Sequence, residues 1–121
     1  MADMFPRPFQ YNALVVSVYD GDTCTVDIDL GMGIWLRGEK LRLFRINAPE
    51  MRGVERPQGM ASRDRLREWI QGREIMLETV RDKKGKYGRY LAELWLQDKN
   101  SAWININDRL VAEGLAEYRE Y

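Results

Sequence analysis

The stretch from Leu14 to Leu30, LVVSVYDGDTCTVDIDL, contains the strongest indication of the fold. Residues Leu14–Tyr19 are mostly β-branched or aromatic, and apolar and polar residues then alternate from Cys24 to Leu30. An alternation with a period of two is typical of a strand that has one buried face. Asp20-Gly21 lies between the two runs and supplies turn chemistry. The stretch therefore predicts a β-hairpin.

Similar patterns continue along the rest of the chain and predict a small β-rich domain. Further strands are predicted at Ile34–Leu36, Leu41–Ile46, Glu74–Val80 and Arg89–Leu96, helices at about Gln58–Gln71 and Asn107–Glu113, and a basic loop at Arg81–Tyr87. Several short antiparallel strands with few helices are typical of a small closed or half-closed barrel. No linker or repeat divides the sequence, so we expect residues 1–121 to form a single domain.

The composition excludes several classes of catalytic site. The chain has no histidine and one cysteine, Cys24, which rules out Ser/His/Asp triads, histidine metal sites, an internal disulfide and a structural zinc site. Chemistry must therefore come from carboxylates, Arg, Lys, Tyr, Ser or Thr, together with a hard metal ion. Because 19 Lys and Arg balance 19 Asp and Glu, any nucleic-acid site has to be a local basic patch.

The sequence gives no indication of membrane insertion or secretion. No apolar run approaches the ~20 residues of a membrane span. The first eight residues, MADMFPRP, contain neither a basic leader nor an apolar segment. We therefore expect no secretory signal and favour a cytoplasmic location.

Asp22 is the first candidate functional residue. Counted along the strand, it is in phase with Cys24 and Val26 on the apolar face, where a carboxylate costs several kcal/mol unless it is paired or bound to a metal. The simpler interpretation is a turn residue whose side chain bonds to its own backbone. The sequence leaves both interpretations open.

The segment Leu41–Glu50, LRLFRINAPE, places two arginines within a hydrophobic run. An arginine in such surroundings usually pairs with an anion, which can be a buried carboxylate or a substrate phosphate. The alternation along the strand does not show whether Arg42 or Arg45 pairs with the anion, because both faces of the run contain large apolar residues. Asn47 and Glu50 follow where Pro49 ends the strand.

A third candidate is the stretch RDKKGKYGR at residues 81–89, in which five of nine residues are basic. One interpretation is a solvated hairpin loop. The other is a contact with a polyanion, in which Lys86 and Arg89 bind phosphates and Tyr87 donates a hydrogen bond or stacks.

Three short motifs, in this order and with this spacing, closely resemble the staphylococcal nuclease family, also called thermonuclease-like. They are DGDT at residues 20–23, Arg42 with NAPE at residues 47–50, and KYGR at residues 86–89. The similarity also includes residues 106–116 and covers about residues 13–118. It implies a five-stranded Greek-key barrel of the OB type, flanked by helices, and Ca²⁺-dependent hydrolysis of phosphodiesters in DNA and RNA.

The resemblance also implies a calcium site. Asp22 would be a carboxylate ligand, and Ala48 would contribute its backbone carbonyl. Asn47 stands where the family commonly has a second aspartate ligand, so calcium affinity is expected to be weak. The family also has a third, C-terminal helix, and we expect no counterpart of it within residues 1–121.

The remaining matches concern the substrate. Glu50 corresponds to the glutamate that orients or deprotonates the attacking water, and Arg42 and Arg89 to the arginines that grip the scissile phosphate. Lys86 and Tyr87 correspond to residues that contact a neighbouring phosphate. The leading interpretation is a sequence-nonspecific nuclease acting on DNA and/or RNA, and the alternative is a catalytically weak or inactive OB-type module that binds nucleic acid or protein.

Overall fold

The structure, a computed structural model, describes residues 9–84 and 88–119, and only the backbone of residues 81–84. The elements in these ranges are β1 (Gln10–Asp20), β2 (Thr23–Asp29), β3 (Trp35–Leu43), β4 (Ile46–Asn47), a 3-10 turn (Gly53–Glu55), α1 (Arg56–Ile70), β5 (Glu74–Lys84), β6 (Tyr90–Gln97), β7 (Trp103–Asn105), α2 (Ile106–Ala112) and β8 (Glu117–Tyr118). None of the helices in this part of the chain is long and apolar enough to cross a membrane.

Strands β1, β2, β3, β5 and β6 form a closed barrel. β1 pairs antiparallel with β2 and β5, β2 pairs with β3, and β5 pairs with β6. A parallel contact between Leu41–Leu43 of β3 and Tyr90–Ala92 of β6 closes the ring. The structure confirms the five-stranded OB-type barrel with two helices that the sequence predicts.

The core fills the barrel and continues beneath α1. Leu66 and Ile70 lie four residues apart on one face of α1 and are fully buried. Each barrel strand contributes fully buried side chains to the same core, among them Val15, Val26, Leu41, Leu43, Leu77 and Leu94. The helix is thereby fixed against the barrel, beside the turn that joins β1 to β2.

The largest difference from the predicted elements lies in the segment between residues 34 and 47. The sequence predicts two strands, Ile34–Leu36 and Leu41–Ile46, but a single strand, Trp35–Leu43, includes two residues of the first run and three of the second. The chain turns at Phe44-Arg45, where Arg45 adopts a left-handed φ of 69°. Arg45 Nε donates to Glu93 Oε2 at 2.6 Å. Because Glu93 is 48 residues away in the sequence, the local pattern around Arg45 does not predict this turn.

Two other boundaries also differ from the prediction. α1 begins at Arg56, two residues before the predicted start at Gln58. β5 continues to Lys84, so the first part of the predicted basic loop is strand. Hydrogen bonding to a neighbouring strand extends β5, although its sequence there is strongly polar.

Asn107 ties α2 to the barrel. Its side chain is fully buried, and its Nδ2 donates to Phe44 O at 2.9 Å and to Ala92 O at 3.1 Å. Its Oδ1 accepts a hydrogen bond from Leu94 N at 3.1 Å. One amide therefore bonds to three main-chain groups and holds the turn that follows β3.

Asn107→Ala is expected to lower the free energy of unfolding by ~2–4 kcal/mol, because it removes three hydrogen bonds to the main chain, including the one to the buried N–H of Leu94. Urea denaturation followed by fluorescence measures this change. Asn100→Ala, in the exposed turn after β6, is the matched control and should change stability by less than ~0.5 kcal/mol. Equal losses in the two variants would show that the Asn107 network contributes little.

Candidate active site

Three barrel strands bring Asp20, Thr23 and Arg42 into line at one end of the barrel. The register places Asp20 of β1 opposite Thr23 of β2, and Thr23 opposite Arg42 of β3. Residues that lie opposite each other on neighbouring strands share a face of the sheet. A carboxylate and a guanidinium therefore lie on either side of a hydroxyl group.

Asp22 lies in the two-residue turn between β1 and β2 and is 7% exposed. Its Oδ2 accepts a hydrogen bond from Ala48 N at 2.8 Å and lies 3.3 Å from Arg42 Nη2. Its Oδ1 accepts a hydrogen bond from the Thr23 hydroxyl at 3.3 Å. Asp22 is therefore a turn residue that is also buried and paired.

Arg42 is almost fully buried among polar partners. Its Nη1 donates to Leu43 O at 2.6 Å and to Ile46 O at 3.0 Å, and its Nη2 donates to Asn47 Oδ1 at 3.3 Å. Arg42 also forms an ion pair with the carboxylate of Asp22. The tertiary structure thus distinguishes the two arginines of the segment, since Arg45 pairs instead with Glu93 and Asp108.

Two glycines allow the segment that contains Glu50 to lie against α1. A Cβ on Gly21 would lie 2.7 Å from the Cβ atoms of Ala48 and Ser62. A Cβ on Gly59 of α1 would collide with the carbonyl oxygen of Glu50. Close packing at these two positions fixes the path of the chain from Ala48 to Glu50.

A groove of about 720 Å³ contains Glu50 and Arg89 in its walls. Arg89 Nη1 donates to Thr23 Oγ1 at 3.3 Å, so Thr23 connects the groove to the cluster of Asp22 and Arg42. The other lining residues are Ser17, Val18, Tyr19, Thr23, Thr25, Lys40, Arg52 and Arg67. Among the residues that the structure describes, four basic side chains and one carboxylate thus line the groove. They form a local basic patch on a chain whose net charge is zero.

Sequence reasoning missed Lys40, Arg52 and Arg67 as groove residues. Lys40 precedes Arg42 by two residues on β3, and a period of two places both on the same face. That spacing could have identified Lys40. Arg52 and Arg67 lie in a loop and a helix, and only the packing of α1 beside the barrel brings them to the groove.

The proposed calcium ligands other than Asp22 lie on and after β4. Asn47 Oδ1 accepts hydrogen bonds from Arg42 Nη2 at 3.3 Å and from Arg119 Nη1 at 3.4 Å. Ala48 contacts Asp22 through its main-chain N–H. Lys86 and Tyr87 lie outside the described residues, so their phosphate contacts stay predictions.

Asp20 is a candidate site residue that sequence reasoning did not single out. Its Oδ1 accepts a hydrogen bond from Asp22 N at 3.0 Å. Burial, followed by the negative charge of Asp22, raises the pKa of Asp20 from 3.8 to about 6. The paired acidic residues of the Asp-Gly-Asp turn are the signal that could have identified it.

The oxygen donors at this end of the barrel fit a hard cation. Asp20 and Asp22 are two mutually repelling carboxylates, and the amide of Asn47 is linked to Asp22 through Arg42. The described ranges contain no cluster of three His, Cys, Asp or Glu residues that could hold a metal by themselves. A cation here therefore needs amide and main-chain oxygens as well, which Ca²⁺ accepts.

Asp20→Asn is expected to stabilise the protein above pH 6 when a chelator removes divalent cations. The unfolded chain releases this proton near the ordinary pKa of 3.8, whereas the folded chain retains it up to about pH 6. The native protein therefore loses stability as the pH rises through this interval, and the variant does not. Thermal unfolding at pH 4 and at pH 8 measures the difference.

Asp64→Asn, on the exposed face of α1, serves as the control for removing one carboxylate. It should leave the pH dependence of stability as it is in the native chain. If Asp20→Asn also has the native pH dependence, the fold does not raise the pKa of Asp20.

Comparisons with known proteins identify the family of the chain. Residues 40–121 match the model of the Staphylococcal nuclease homologue family. The thermonuclease of Staphylococcus intermedius is 33% identical over 111 residues, which cover 89% of this chain and 60% of the relative. The thermonuclease of Staphylococcus hyicus is 30% identical over 110 residues, covering 88% and 59% of the two chains.

A third relative, an uncharacterized protein of Methanocaldococcus jannaschii, is 32% identical over 127 residues and covers 88% of this chain and 58% of its own length. The chain thus spans about three fifths of the length of the curated relatives it matches. The part of this chain that matches the family model includes all residues of the cluster and groove from Lys40 to Arg89. The β1–β2 hairpin, with Asp22, lies before it. The protein belongs to the Staphylococcal nuclease homologue family.

Proposed function

We propose that the protein is a Ca²⁺-dependent phosphodiesterase that cleaves DNA and/or RNA without sequence specificity. The observation that carries the proposal is the groove, in which Glu50 shares the walls with four basic side chains, next to the cluster of Asp22 and Arg42. Family membership and the names of the two thermonucleases support the same reaction class.

In this proposal two guanidinium groups bind the scissile phosphate. A planar guanidinium can donate two parallel hydrogen bonds to phosphate oxygens. Arg89 lies in the wall of the groove, and Arg42 lies on the other side of Thr23. Because Arg42 already faces Asp22 at 3.3 Å, it must share or exchange this partner when it binds a phosphate.

The residues that would hold Ca²⁺ are Asp22, Asn47 and the main-chain carbonyl of Ala48, with Asp20 beside them. When bound, the ion supplies charge neutralisation for the phosphate and a fixed position for the attacking water. Asp22 is held in place by Ala48 N, which orients one of its oxygens. The acidic turn also concentrates negative charge that a divalent cation would offset.

Glu50 is the proposed general base. It is exposed at the groove, and its loop is held by a hydrogen bond from Glu50 N to Glu55 Oε1 at 3.0 Å. Its carboxylate accepts a proton from the water, the water oxygen bonds to phosphorus, and the bond from phosphorus to the leaving oxygen breaks. The leaving oxygen keeps the electron pair of that bond and takes up a proton from the solvent, which gives the product hydroxyl. Arg42 and Arg89 stabilise the additional charge on the pentacoordinate transition state.

The second candidate function is a catalytically weak or inactive OB-type module that binds nucleic acid or protein. One observation favours it. Asn47 contributes an amide to the cluster, and Arg42 balances the charge of Asp22 without a cation. The groove and its basic side chains would then bind a phosphate backbone without cleaving it.

Incubation with plasmid DNA and with RNA tests the proposal. Cleavage should require Ca²⁺, proceed less well with Mg²⁺, and stop in excess chelator, because the mixed oxygen donors suit a flexible coordination sphere. Arg89→Ala should lower kcat by ~10²–10³, since one charge-assisted donor to the transition state is lost. Arg42→Ala is a less specific test because Arg42 also compensates the buried charge of Asp22.

The control for this assay is Arg73→Ala, an exposed arginine in the turn before β5, outside the groove. It should cleave at the native rate. Cleavage that continues in excess chelator would exclude the mechanism. Salt-sensitive binding with no cleavage would identify the protein as a binding module instead.

Asn47→Asp is expected to bind Ca²⁺ more tightly than the native chain. An added carboxylate supplies a full negative charge near Asp22, and calcium affinity rises with the number of charged ligands. After repulsion among the carboxylates, we expect a net gain of ~1 kcal/mol, or about fivefold in Kd. Calorimetric titration with Ca²⁺ measures it.

Asn12→Asp, an exposed residue of β1 outside the cluster, provides the matched control and should leave the affinity unchanged. If Asn47→Asp binds Ca²⁺ no more tightly than the native chain, Asn47 is not a calcium ligand.

A further inference from the structure

β1 contains a bulge immediately before the acidic turn. Val18 lies opposite Cys24 and Asp20 lies opposite Thr23, so Tyr19 is an extra residue without a partner in register. Bulges redirect a side chain and are frequent next to active sites. Here the bulge separates the buried Val18 from a tyrosine that is 72% exposed.

Side chains at the C-terminal end of α1 hold this bulge in place. Val18 N donates to Gln71 Oε1 at 3.2 Å. Val18 O accepts hydrogen bonds from Arg67 Nε at 3.2 Å and Arg67 Nη2 at 3.1 Å. On the other side of Tyr19, the side chain of Asp20 is bonded to Asp22 N. The backbone that carries the tyrosine ring is therefore fixed at both of its neighbours.

Two small hydroxyl side chains, Ser17 and Thr25, line the groove that contains Tyr19. Ser17 of β1 lies opposite Thr25 of β2, and Thr25 lies opposite Lys40 of β3. All three residues line the groove together with Tyr19 and Arg89. The small side chains of Ser17 and Thr25 leave space above the sheet.

An exposed tyrosine by itself is unremarkable on a protein surface. Tyr19 differs because its aromatic ring shares one groove with Lys40, Arg52, Arg67 and Arg89. An aromatic face combined with basic groups is the arrangement that binds a polynucleotide strand, since bases stack on the ring and phosphates contact the cations.

We infer that Tyr19 is a substrate-binding residue on which a base of the bound strand stacks, while the basic side chains of the groove hold its phosphates. This inference rests on the proposed function and adds a base-contacting residue to the phosphate-binding groove. A planar ring with two torsion angles on a fixed backbone loses little conformational entropy when a base stacks on it.

Two single-stranded oligonucleotides of equal length test the inference. One is ordinary DNA, and the other has abasic residues at every position, so that both carry the same number of phosphates. Fluorescence anisotropy in chelator at low salt measures their affinities without cleavage. The native chain should bind the ordinary strand about 5- to 100-fold more tightly than the abasic strand.

The variants separate stacking from phosphate binding. Tyr19→Ala should bind both strands with the affinity that the native chain has for the abasic strand, whereas Tyr19→Phe should retain the preference for bases. Lys40→Ala should weaken binding of both strands by the same factor. Trp103→Ala, which removes an aromatic side chain 51% exposed outside the groove, is the matched control and should bind as the native chain does.

Three outcomes would overturn the inference. Equal native affinity for the two strands, with Ca²⁺-dependent cleavage intact, overturns base stacking and leaves the proposed function standing. If Tyr19→Ala lowers the affinity for both strands by the same factor, Tyr19 has a structural role and does not contact a base. If the native chain neither binds nor cleaves the ordinary strand, both the inference and the proposed function are wrong.

Discussion

The carboxylate of Asp22 joins three segments that are distant in the sequence. A buried carboxylate without partners is strongly unfavourable, and here Ala48 N and the guanidinium of Arg42 compensate it. Arg42 also binds the carbonyl groups of Leu43 and Ile46, so the end of β3, the turn after it and the acidic turn form one unit. Removing one member of such a unit leaves another charge buried and unpaired. The same contacts that stabilise this end of the barrel therefore also assemble the candidate site.

Close packing and barrel closure complete the arrangement around this unit. The absence of a Cβ at Gly21 and Gly59 lets the loop from Ala48 to Glu50 lie between the acidic turn and α1. The parallel contact between β3 and β6 places Arg89, which precedes β6, near Thr23. A carboxylate, two guanidinium groups and an acidic turn from separate parts of the chain thus meet at one end of a rigid barrel.

The two arginines of the segment after β2 show how differently similar residues are used. Arg45 is held by Glu93 and Asp108, and the hydrogen bond to Glu93 is the main cause that raises its pKa. Its role is to fix the turn after β3. Arg42, three residues earlier, instead forms an ion pair with Asp22 and donates a hydrogen bond to Asn47. One arginine fixes a turn of the barrel, and the other compensates the buried carboxylate of the acidic turn.

The sequence by itself determined the β1–β2 hairpin, the barrel class, both helices and the family, because period-two alternation, turn residues and short motifs are local properties of the chain. It also placed Asp22, Arg42, Glu50 and Arg89 among the candidates. The tertiary structure decided which arginine faces the acidic turn, how Lys40, Arg52 and Arg67 reach the groove, and where the bulge directs Tyr19. These features depend on strand register, on barrel closure and on the packing of α1, and each of them is set by contacts between residues far apart in the sequence. The pKa of Asp20 belongs with them, since burial in the folded chain is the main cause that raises it.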